Sequence, residues 1–398
     1  MTGDRAERAR GGSDGDRAGG LHLGVDFMPA VQHAPGVGRY VRELVRALVR
    51  RPDAPRLALF EGGLGPRPME GAPLGFDTLT AAQRAQVARR RVRLPRRGLA
   101  LLARLGLGAE RLVAGSRGSI DLFHRVHARH PPLSGGRHTL ALAELPSPGT
   151  AADSALGAAA RTAAGLIVFD AHFAAQVAAR YGLEAARVHV VPVGCDHWER
   201  DLAGRAAPRR APRELVVLGA IRRARHPLRV LAAFEGLVRG GLDARLRFVG
   251  RPGDEAAPFE VALGRSPARD RVQWVRAPRE AEMPALVAGA TALVHLADEE
   301  GSAVTPLEAC RFGLAIVASD LPAFRAALGS AAHWAPTPED VHGLTQALAA
   351  ALEAGADEGG RAMRRRIAAP YTWDASAEAH LVAFRTILMH ARDARRAQ

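Results

Sequence analysis

Short apolar runs alternate with amphipathic helical stretches along nearly the whole chain, and this alternation restricts the fold more than any other feature. The helical stretches, such as VGRYVRELVRALVR, carry apolar residues at a spacing of three and four. An order of strand, helix, strand, helix predicts parallel sheets covered by helices on both faces. The runs that we interpret as strands are LHLGVDF, DLFHRV, TLALAEL and GLIVF in the first half and ELVVLGA, RLRFVG, RVQWV, TALVHLA and LAIVAS in the second.

The length and one polar stretch predict the domain organisation. A chain of 398 residues exceeds a typical single core. The stretch from Glu199 to Glu214 is rich in proline, glycine and charge, as linkers are. We expect an α/β protein with two doubly wound, Rossmann-like domains that face each other across a cleft, with ligands at the carboxyl ends of the strands. The predicted parts are a disordered leader (1–20), an N-terminal domain (21–200), a linker (201–213), a C-terminal domain (214–372) and a terminal helix (373–398).

The large positive charge of the chain is weak evidence for nucleic-acid binding. The formal net charge is +14, yet the chain contains no lysine and no asparagine, which indicates a coding bias acting on every position. The presence of an arginine at any one position is therefore weak evidence that this position has a function. Aromatic residues make up 5% of the chain, too few for a platform on which single-stranded nucleic acid would stack. We expect no nucleic-acid partner.

Targeting and cysteine patterns predict a cytoplasmic protein. No apolar run reaches the roughly 18 to 20 residues that span a bilayer, and the first twenty residues lack the apolar core of a signal peptide. Cys195 and Cys310 form neither a disulfide framework nor a metal-ligand cluster. We expect both to be buried structural thiols and predict no metal site.

One basic segment has two interpretations. From Arg84 to Gly108, arginines cluster and sit beside leucines. This pattern is typical of an amphipathic surface that lies on anionic lipid, here at the inner face of the plasma membrane, and equally of a solvated helix face above a buried leucine stripe. The sequence leaves both open.

The stretch DEEGSAVTPLEACRFG (298–313) also has two interpretations. Thr305 and Glu308 have the spacing of a capping box, in which the threonine caps a helix and the glutamate bonds back to the cap. Alternatively, a glycine-containing turn before a helix presents free N–H groups to an anion, and a flanking carboxylate accepts hydrogen bonds from sugar hydroxyls. Glu300 favours the second interpretation, because a capping box has no use for it.

Two further loops follow predicted strands and could bind phosphate. Gly36 and Gly38 precede a helix and allow a tight turn. Arg222, Arg223 and Arg225 lie between a strand and a helix, where guanidinium groups could pair with a diphosphate. Taken alone, each loop is equally well explained as a structural turn or a solvated loop.

Taken in order, these segments resemble the family 4 (group 1) retaining glycosyltransferases of the GT-B fold, and the mannosyltransferase-like members most. The resemblance covers about residue 21 to the C-terminus, and residues 298–313 are its most specific part. It implies that the terminal helix packs back on the N-terminal domain, with Trp373 as a packing anchor. The other segments that carry it are GVGRYVRELVRAL, DLFHRVHARHPP, AGLIVFDAHFAAQVAARYGLEAARVHVVPVGCD, LVVLGAIRRARHPLRVLAAFEGL and YTWDASAEAHLVAFRTIL.

The resemblance implies roles for individual residues. Glu308 matches the glutamate that binds the ribose of the donor nucleotide, and Glu300 matches the one near the donor sugar and leaving phosphate. Arg225 matches a phosphate-binding lysine. The remaining matches are Arg222 or Arg223 as a companion arginine, the amides of Gly301, Ser302 and Ala303 facing the donor, Gly36 and Gly38 in the loop opposite, and His124 as the histidine that follows the DLF strand.

The implied reaction is metal-independent transfer of a hexose from a nucleotide-diphosphate sugar to an acceptor hydroxyl, with retention, in polysaccharide or glycoconjugate synthesis. The acceptor would be a sugar, a lipid-linked sugar or a small molecule, and the nucleotide sugar is a substrate rather than a cofactor. The chain departs from the family at Ala143 and Glu144, where a His-Asp pair is frequent, and at Ser302 and Ala303. His124 or His127 would then have to supply the imidazole. These departures also fit a non-catalytic nucleotide-sugar-binding or scaffold protein, and a GT-B epimerase is a third alternative.

Overall fold

The computed structural model describes residues 20–32, 36–64, 79–114, 119–128, 130–203, 213–276, 278–337 and 339–396. The predicted leader lies outside this range except for Gly20, and so do residues 204–212 of the predicted linker. Among the described residues, no helix combines the length and the apolar character required to cross a bilayer.

The first sheet has seven strands, all parallel to their neighbours, in the order β3-β2-β1-β4-β5-β6-β7. Short loops join the strands to helices that cover both faces, as parallel pairing requires. The strands are β1 (His22–Asp26), β2 (Arg56–Gly62), β3 (Val87–Val92), β4 (Leu122–Arg125), β5 (His138–Leu142), β6 (Gly165–Val168) and β7 (Val188–Val190). The helices are α1 (Met28–Val31), α2 (Val37–Arg50), α3 (Ala81–Ala85), α4 (Arg96–Arg104), α5 (Ala109–Ala114), α6 (Ala151–Thr162), α7 (Ala171–Tyr181) and α8 (His197–Leu202).

The second sheet has six parallel strands in the order β10-β9-β8-β11-β12-β13. In both sheets the order reverses beside the first strand of the domain, which is where doubly wound sheets bind ligands. The strands are β8 (Glu214–Leu218), β9 (Arg245–Val249), β10 (Val272–Val275), β11 (Ala292–His295), β12 (Ala315–Ser319) and β13 (Ala332–Ala335). The helices are α9 (Pro227–Arg239), α10 (Ala256–Arg265), α11 (Met283–Ala288), α12 (Val304–Arg311), α13 (Pro322–Leu328), α14 (Val341–Ala354), α15 (Glu358–Ala368) and α16 (Trp373–Arg396).

The predicted fold class is confirmed, and each of the nine predicted runs contains a strand. The sequence did not predict β2, β3, β7 and β13. The strand β3 was hidden because its sequence, VARRRV, carries three arginines. Two of them, Arg89 and Arg91, reach across to the buried carboxylate of Glu61 on β2. The basic segment from Arg84 to Gly108 therefore contains the end of α3, the strand β3 and the helix α4.

The last helix, α16, packs against α2 and the core of the first sheet. Its apolar residues Trp373, Leu381 and Phe384 are buried in the same cluster as Leu23 and Val25 of β1. Strand β1 and helix α16 lie at opposite ends of the chain, so this core is closed only when the C-terminus has returned to the first domain.

Three buried polar side chains join α2, β4 and α16. The hydroxyl of Tyr40 lies 2.9 Å from Nε2 of His124 and 2.8 Å from Nε2 of His380. The other ring nitrogen of His124 bonds to Thr139 at 2.8 Å, and that of His380 bonds to the carbonyl of Ser376 at 2.7 Å. Burial lowers the pKa of His124 to about 3 and that of His380 to about 4. Both imidazoles are therefore neutral at pH 7.

Because these pKa values lie below that of a histidine in the unfolded chain, the unfolded chain binds more protons as the pH falls below about 6.5. We expect the free energy of unfolding to decrease by about 2 kcal/mol per histidine between pH 7 and pH 5. In His380→Gln, denaturant titration should show a shallower dependence on pH. The matched control is His342→Gln, at an exposed histidine of α14. An equal pH dependence in the His380 variant and the wild type would contradict the assignment.

Candidate active site

Three side chains meet at the carboxyl ends of β8 and β11. The guanidinium of Arg225 lies 2.6 Å from the carboxylate of Glu300 and donates to Nε2 of His295 at 2.8 Å. Arg225 follows β8, His295 ends β11, and Glu300 lies in the loop after β11. Arg225 and His295 line a pocket whose other walls include Gly219 and Ala220. The structure thus brings two predicted site residues, Arg225 and Glu300, into direct contact.

This cluster holds a fixed distribution of charge. Burial raises the pKa of Glu300, but the neighbouring His295 and the positive charge of Arg225 outweigh it, so the pKa of Glu300 is lowered. Burial and the charge of Arg225 lower the pKa of His295. The imidazole is neutral at pH 7, accepts from Arg225 at Nε2, and leaves a buried Nδ1 without a hydrogen-bond partner among the described residues. The cluster therefore presents a cation, a carboxylate and a neutral ring.

The two remaining arginines of this turn are exposed. Arg223 is 84% exposed and pairs with Glu255 at 3.1 Å. Its backbone N–H donates to Asp254. Arg222 is also exposed, and its side chain passes close to Gly253, where a β-carbon would lie 2.8 Å from Cγ of the arginine. Of the two candidates for the companion cation, Arg223 is thus already engaged by a carboxylate.

The capping-box interpretation of Thr305 and Glu308 is wrong. Helix α12 begins two residues earlier than that interpretation requires, at Val304, with Ala303 as its N-cap and without a side-chain cap. Glu308 is therefore in the second turn, beyond the position from which a side chain reaches the cap. Its carboxylate is 1% exposed and turns toward the first domain instead.

Two side chains contact the carboxylate of Glu308, one from α2 of the first domain and one from α8. Arg39 donates to Oε1 of Glu308 at 3.0 Å, and Nε2 of His197 lies 3.3 Å from the same oxygen. The indole N–H of Trp373 donates to Nδ1 of His197, so the proton of this ring faces Glu308. Burial raises the pKa of Glu308, but Arg39 and His197 outweigh it and the pKa is lowered. The second oxygen, Oε2, is buried and has no hydrogen-bond partner within the described chain.

Arg39 is the centre of a charged contact between the domains. It also donates to Glu280 at 3.2 Å, and its guanidinium lies 4.7 Å from the ring centroid of Trp198. Arg42, one turn further along α2, donates to the same oxygen of Glu280 at 3.0 Å. Glu280 lies just before α11 in the second domain. The first turns of α2 thus carry cations toward carboxylates of the other domain.

The predicted glycines take two different positions. Gly36 is the N-cap of α2 with a φ of 67°, a backbone conformation that favours glycine, and Gly38 is buried inside the helix.

The backbone N–H of Gly301 donates to the carbonyl of Ala143 across the cleft at 3.1 Å. A β-carbon on Gly301 would lie 2.4 Å from that carbonyl. This amide, predicted to face an anion, is therefore engaged by the first domain here.

Ser302 and Ala303 lie beside this contact. Both line a pocket between the domains together with Phe169 and Asp170, which follow β6. Ala303 is buried and Ser302 is half-buried. Two of the four departures from the family that this chain resembles thus lie on the wall of an interdomain pocket.

His124 does not reach the cleft. It is fully buried within β4, and Tyr40 and Thr139 engage both of its ring nitrogens. The prediction of a catalytic role placed it after the strand, whereas β4 continues to Arg125. His127, the other histidine considered, does follow β4.

Four residues of the site were not predicted from the sequence: Arg39, His197, Glu280 and His295. Arg39 and His295 each adjoin a predicted feature, the glycine loop and the strand TALVHLA, so their positions were visible in the pattern. The pairing of Glu280 and His197 depends on how the domains meet, which periodicity does not reveal. Within the described ranges, no three His, Cys, Asp or Glu side chains are grouped so that they could hold a metal ion. Both cysteines are free and buried, as expected.

A comparison with protein families matches residues 204–369 to the family described as glycosyl transferases group 1. The matched range is the second domain, which contains Arg225, Glu300 and Glu308. No curated protein matches the chain in sequence.

Several solved structures share the fold. The sucrose-phosphate synthase from Thermosynechococcus elongatus is 16% identical, with a TM-score of 0.66 over 93% of this chain and 100% of that one. The alpha,alpha-trehalose-phosphate synthase (UDP-forming) from Burkholderia vietnamiensis is 14% identical, with a TM-score of 0.66 over 94% and 98%. The pneumococcal O-GlcNAc transferase GtfA, in complex with UDP and GlcNAc, is 14% identical, with a TM-score of 0.51 over 64% of this chain.

The chain spans about half the length of GtfA, 53% of it. At these identities the likeness establishes the fold alone, and it agrees with two parallel-sheet domains of the GT-B type. The family match and the GT-B fold together support a group 1 glycosyltransferase.

Proposed function

We propose that the protein transfers a hexose from a nucleotide-diphosphate sugar to an acceptor hydroxyl with retention at the anomeric carbon. The observation that carries this proposal is the cluster of Arg225, Glu300 and His295 at the carboxyl ends of β8 and β11, inside the domain that matches the family. A cation held by a carboxylate at this edge of a doubly wound sheet is suited to a diphosphate.

The buried Glu308 supports a nucleotide as the carrier of that diphosphate. Its free oxygen, Oε2, is a hydrogen-bond acceptor in need of a donor, since a buried carboxylate oxygen without a partner is costly. Ribose hydroxyls would supply such donors. Because Arg39 covers the carboxylate, the nucleotide would reach it only after the contact between α2 and α12 has loosened.

The chemistry follows from where negative charge develops. As the bond between the anomeric carbon and the phosphate oxygen breaks, the leaving diphosphate gains charge, which Arg225 and Arg222 stabilise. The acceptor oxygen forms the new bond on the same face of the sugar, and its proton passes to the leaving phosphate. Glu300 holds Arg225 in position and accepts hydrogen bonds from sugar hydroxyls. Once Gly301 is released from Ala143, its amide joins the amides of Ser302 and Ala303 facing the donor.

The proposal extends to the biological setting. The product would be a polysaccharide or glycoconjugate, the acceptor a sugar, a lipid-linked sugar or a small molecule, and the location cytoplasmic, with peripheral contact to an anionic membrane. The mannosyltransferase-like members of family 4 are the proposed relatives.

A second candidate is a nucleotide-sugar-binding protein without transferase activity. It is favoured by the bond from Gly301 to the carbonyl of Ala143, which closes the cleft at the point where the donor sugar would lie. The two candidates differ in donor turnover, because a binding protein does not consume the donor.

Calorimetric titration with UDP, GDP, ADP and dTDP tests the donor site. We expect one nucleotide to bind in about the micromolar range, roughly −8 kcal/mol. Glu308→Gln and Arg225→Ala should each weaken it by about tenfold or more, because each removes a charged hydrogen-bond partner. Glu353→Gln and Arg239→Ala, at exposed residues of the same domain, are the controls. A folded protein that binds none of the four nucleotides would exclude the donor site.

Arg39→Gln tests whether Arg39 must leave Glu308 before the nucleotide binds. We expect the association rate constant, measured by stopped-flow fluorescence, to rise severalfold because one ion pair no longer has to break. Arg42→Gln is matched to it, since Arg42 also pairs with Glu280 but does not bond to Glu308. An equal rise in both variants would indicate general loosening of the domains and contradict a specific role for Arg39.

Donor turnover distinguishes the two candidate functions. The substrate is the sugar donor of the nucleotide identified by titration, and we expect the wild type to release that nucleotide. In Arg225→Ala the activation barrier should rise by about 3 kcal/mol, which lowers kcat by a factor of about a hundred. NMR of the product should show that the anomeric configuration is retained. Binding without turnover, over a panel of acceptors, would favour the binding protein.

A further inference from the structure

Three leucines in α4 and in the turn that follows it are exposed to solvent. Leu101, Leu105 and Leu107 are 58%, 69% and 46% exposed. Single exposed leucines are ordinary on a protein surface, but three within seven residues form an apolar patch. Leu99 of the same helix is buried against Phe60 and Phe123, so the fold already uses the inner face of α4. The outer leucines contribute nothing to that core.

Arginines surround these leucines. Residues 96 to 111, which form α4, the turn after it and the start of α5, contain four arginines, Arg96, Arg97, Arg104 and Arg111, and a single carboxylate, that of Glu110. Arg97, Leu101 and Leu105 follow one another at a spacing of four, and Arg104 lies beside them, so cations and leucines share one helix face. All of these arginines are exposed. An exposed apolar strip with cations on its flanks matches an anionic bilayer, in which leucines enter the headgroup region and arginines contact lipid phosphates.

The patch adjoins the acceptor side of the cleft. The backbone N–H of Ala109 donates to the carbonyl of Pro132, and that of Gly108 donates to Ser134. Helix α4 begins just after β3, as the loop of His127 begins just after β4, so both start at the same edge of the sheet. That loop lies at the carboxyl edge of the first sheet, where a ligand of this domain would bind.

We infer that the surface formed by α4 and the turn to α5, with Leu101, Leu105 and Leu107 at its centre, docks the protein on an anionic membrane and presents the cleft to a lipid-linked acceptor. The acceptor part rests on the proposed function; the docking part does not. In this orientation the second domain, which carries the donor site, remains able to receive a soluble nucleotide sugar.

Vesicle co-sedimentation of the full chain tests docking without any substrate. We expect binding to vesicles of phosphatidylcholine with phosphatidylglycerol, little binding to phosphatidylcholine alone, and a fall when salt rises from about 0.1 M to about 1 M, because the screening length drops from about 10 Å to about 3 Å. Binding to both vesicle types alike, or to neither, would overturn the inference.

Two double variants separate charge from insertion. Arg97→Glu with Arg104→Glu, and Leu101→Ser with Leu105→Ser, should each weaken vesicle binding by about tenfold or more. Their controls lie in the second domain: Arg239→Glu with Arg265→Glu changes the net charge equally, and Val261→Ser replaces a residue that is 55% exposed. If the leucine variant bound as well as the wild type, the surface would be a general polyanion site and the docking inference would fail. Nucleotide titration of the same variants should be unchanged, so failure of docking and failure of the donor site are distinguishable.

Discussion

The buried ion pair between Arg39 and Glu308 is the interaction on which the arrangement of the cleft depends. An isolated carboxylate with 1% exposure would be unstable, so the charge of Glu308 requires a cation close by. The second domain contributes the carboxylate and the first contributes the cation. His197 and Trp373 complete the contact from the two segments where the chain passes between domains. The relative position of the domains is thus linked to the ionisation of one residue.

Because Glu308 is contacted by the first domain and is also the proposed ligand contact, ligand binding at Glu308 would be coupled to movement of the two domains. Removing one partner of a buried ion pair is costly, because the other charge is left unpaired. A ligand that supplies hydrogen-bond donors to Glu308 can compensate for the loss of Arg39. If the cleft opens without such a ligand, the carboxylate of Glu308 loses this partner without a replacement from a ligand. Arg42 and Glu280 form a second ion pair nearby whose carboxylate is more exposed, at 37%. The contact therefore contains one pair that a ligand can replace and one that can open to water.

The sequence predicted the fold class well because buried parallel strands leave continuous apolar runs. Nine runs became strands, whereas β3 was missed because it carries three arginines, two of which pair with Glu61 on the neighbouring strand. Within the candidate site, Arg225 and Glu300 were found because both follow strands. Arg39 and Glu280 were not, since their partners belong to the opposite domain. The role of His124 was not predicted correctly, because a histidine in a strand has the same sequence pattern whether it faces a ligand or, as here, a buried tyrosine such as Tyr40.

The return of α16 to the first sheet means that domains and chain segments do not coincide. Leu381, Phe384 and Ile387 share a buried cluster with Leu23 and Val25, and the first domain closes its core with residues from the far end of the chain. A fragment ending near residue 200 would expose that apolar surface to water. The first domain consequently gains its full core only after the second has been synthesised.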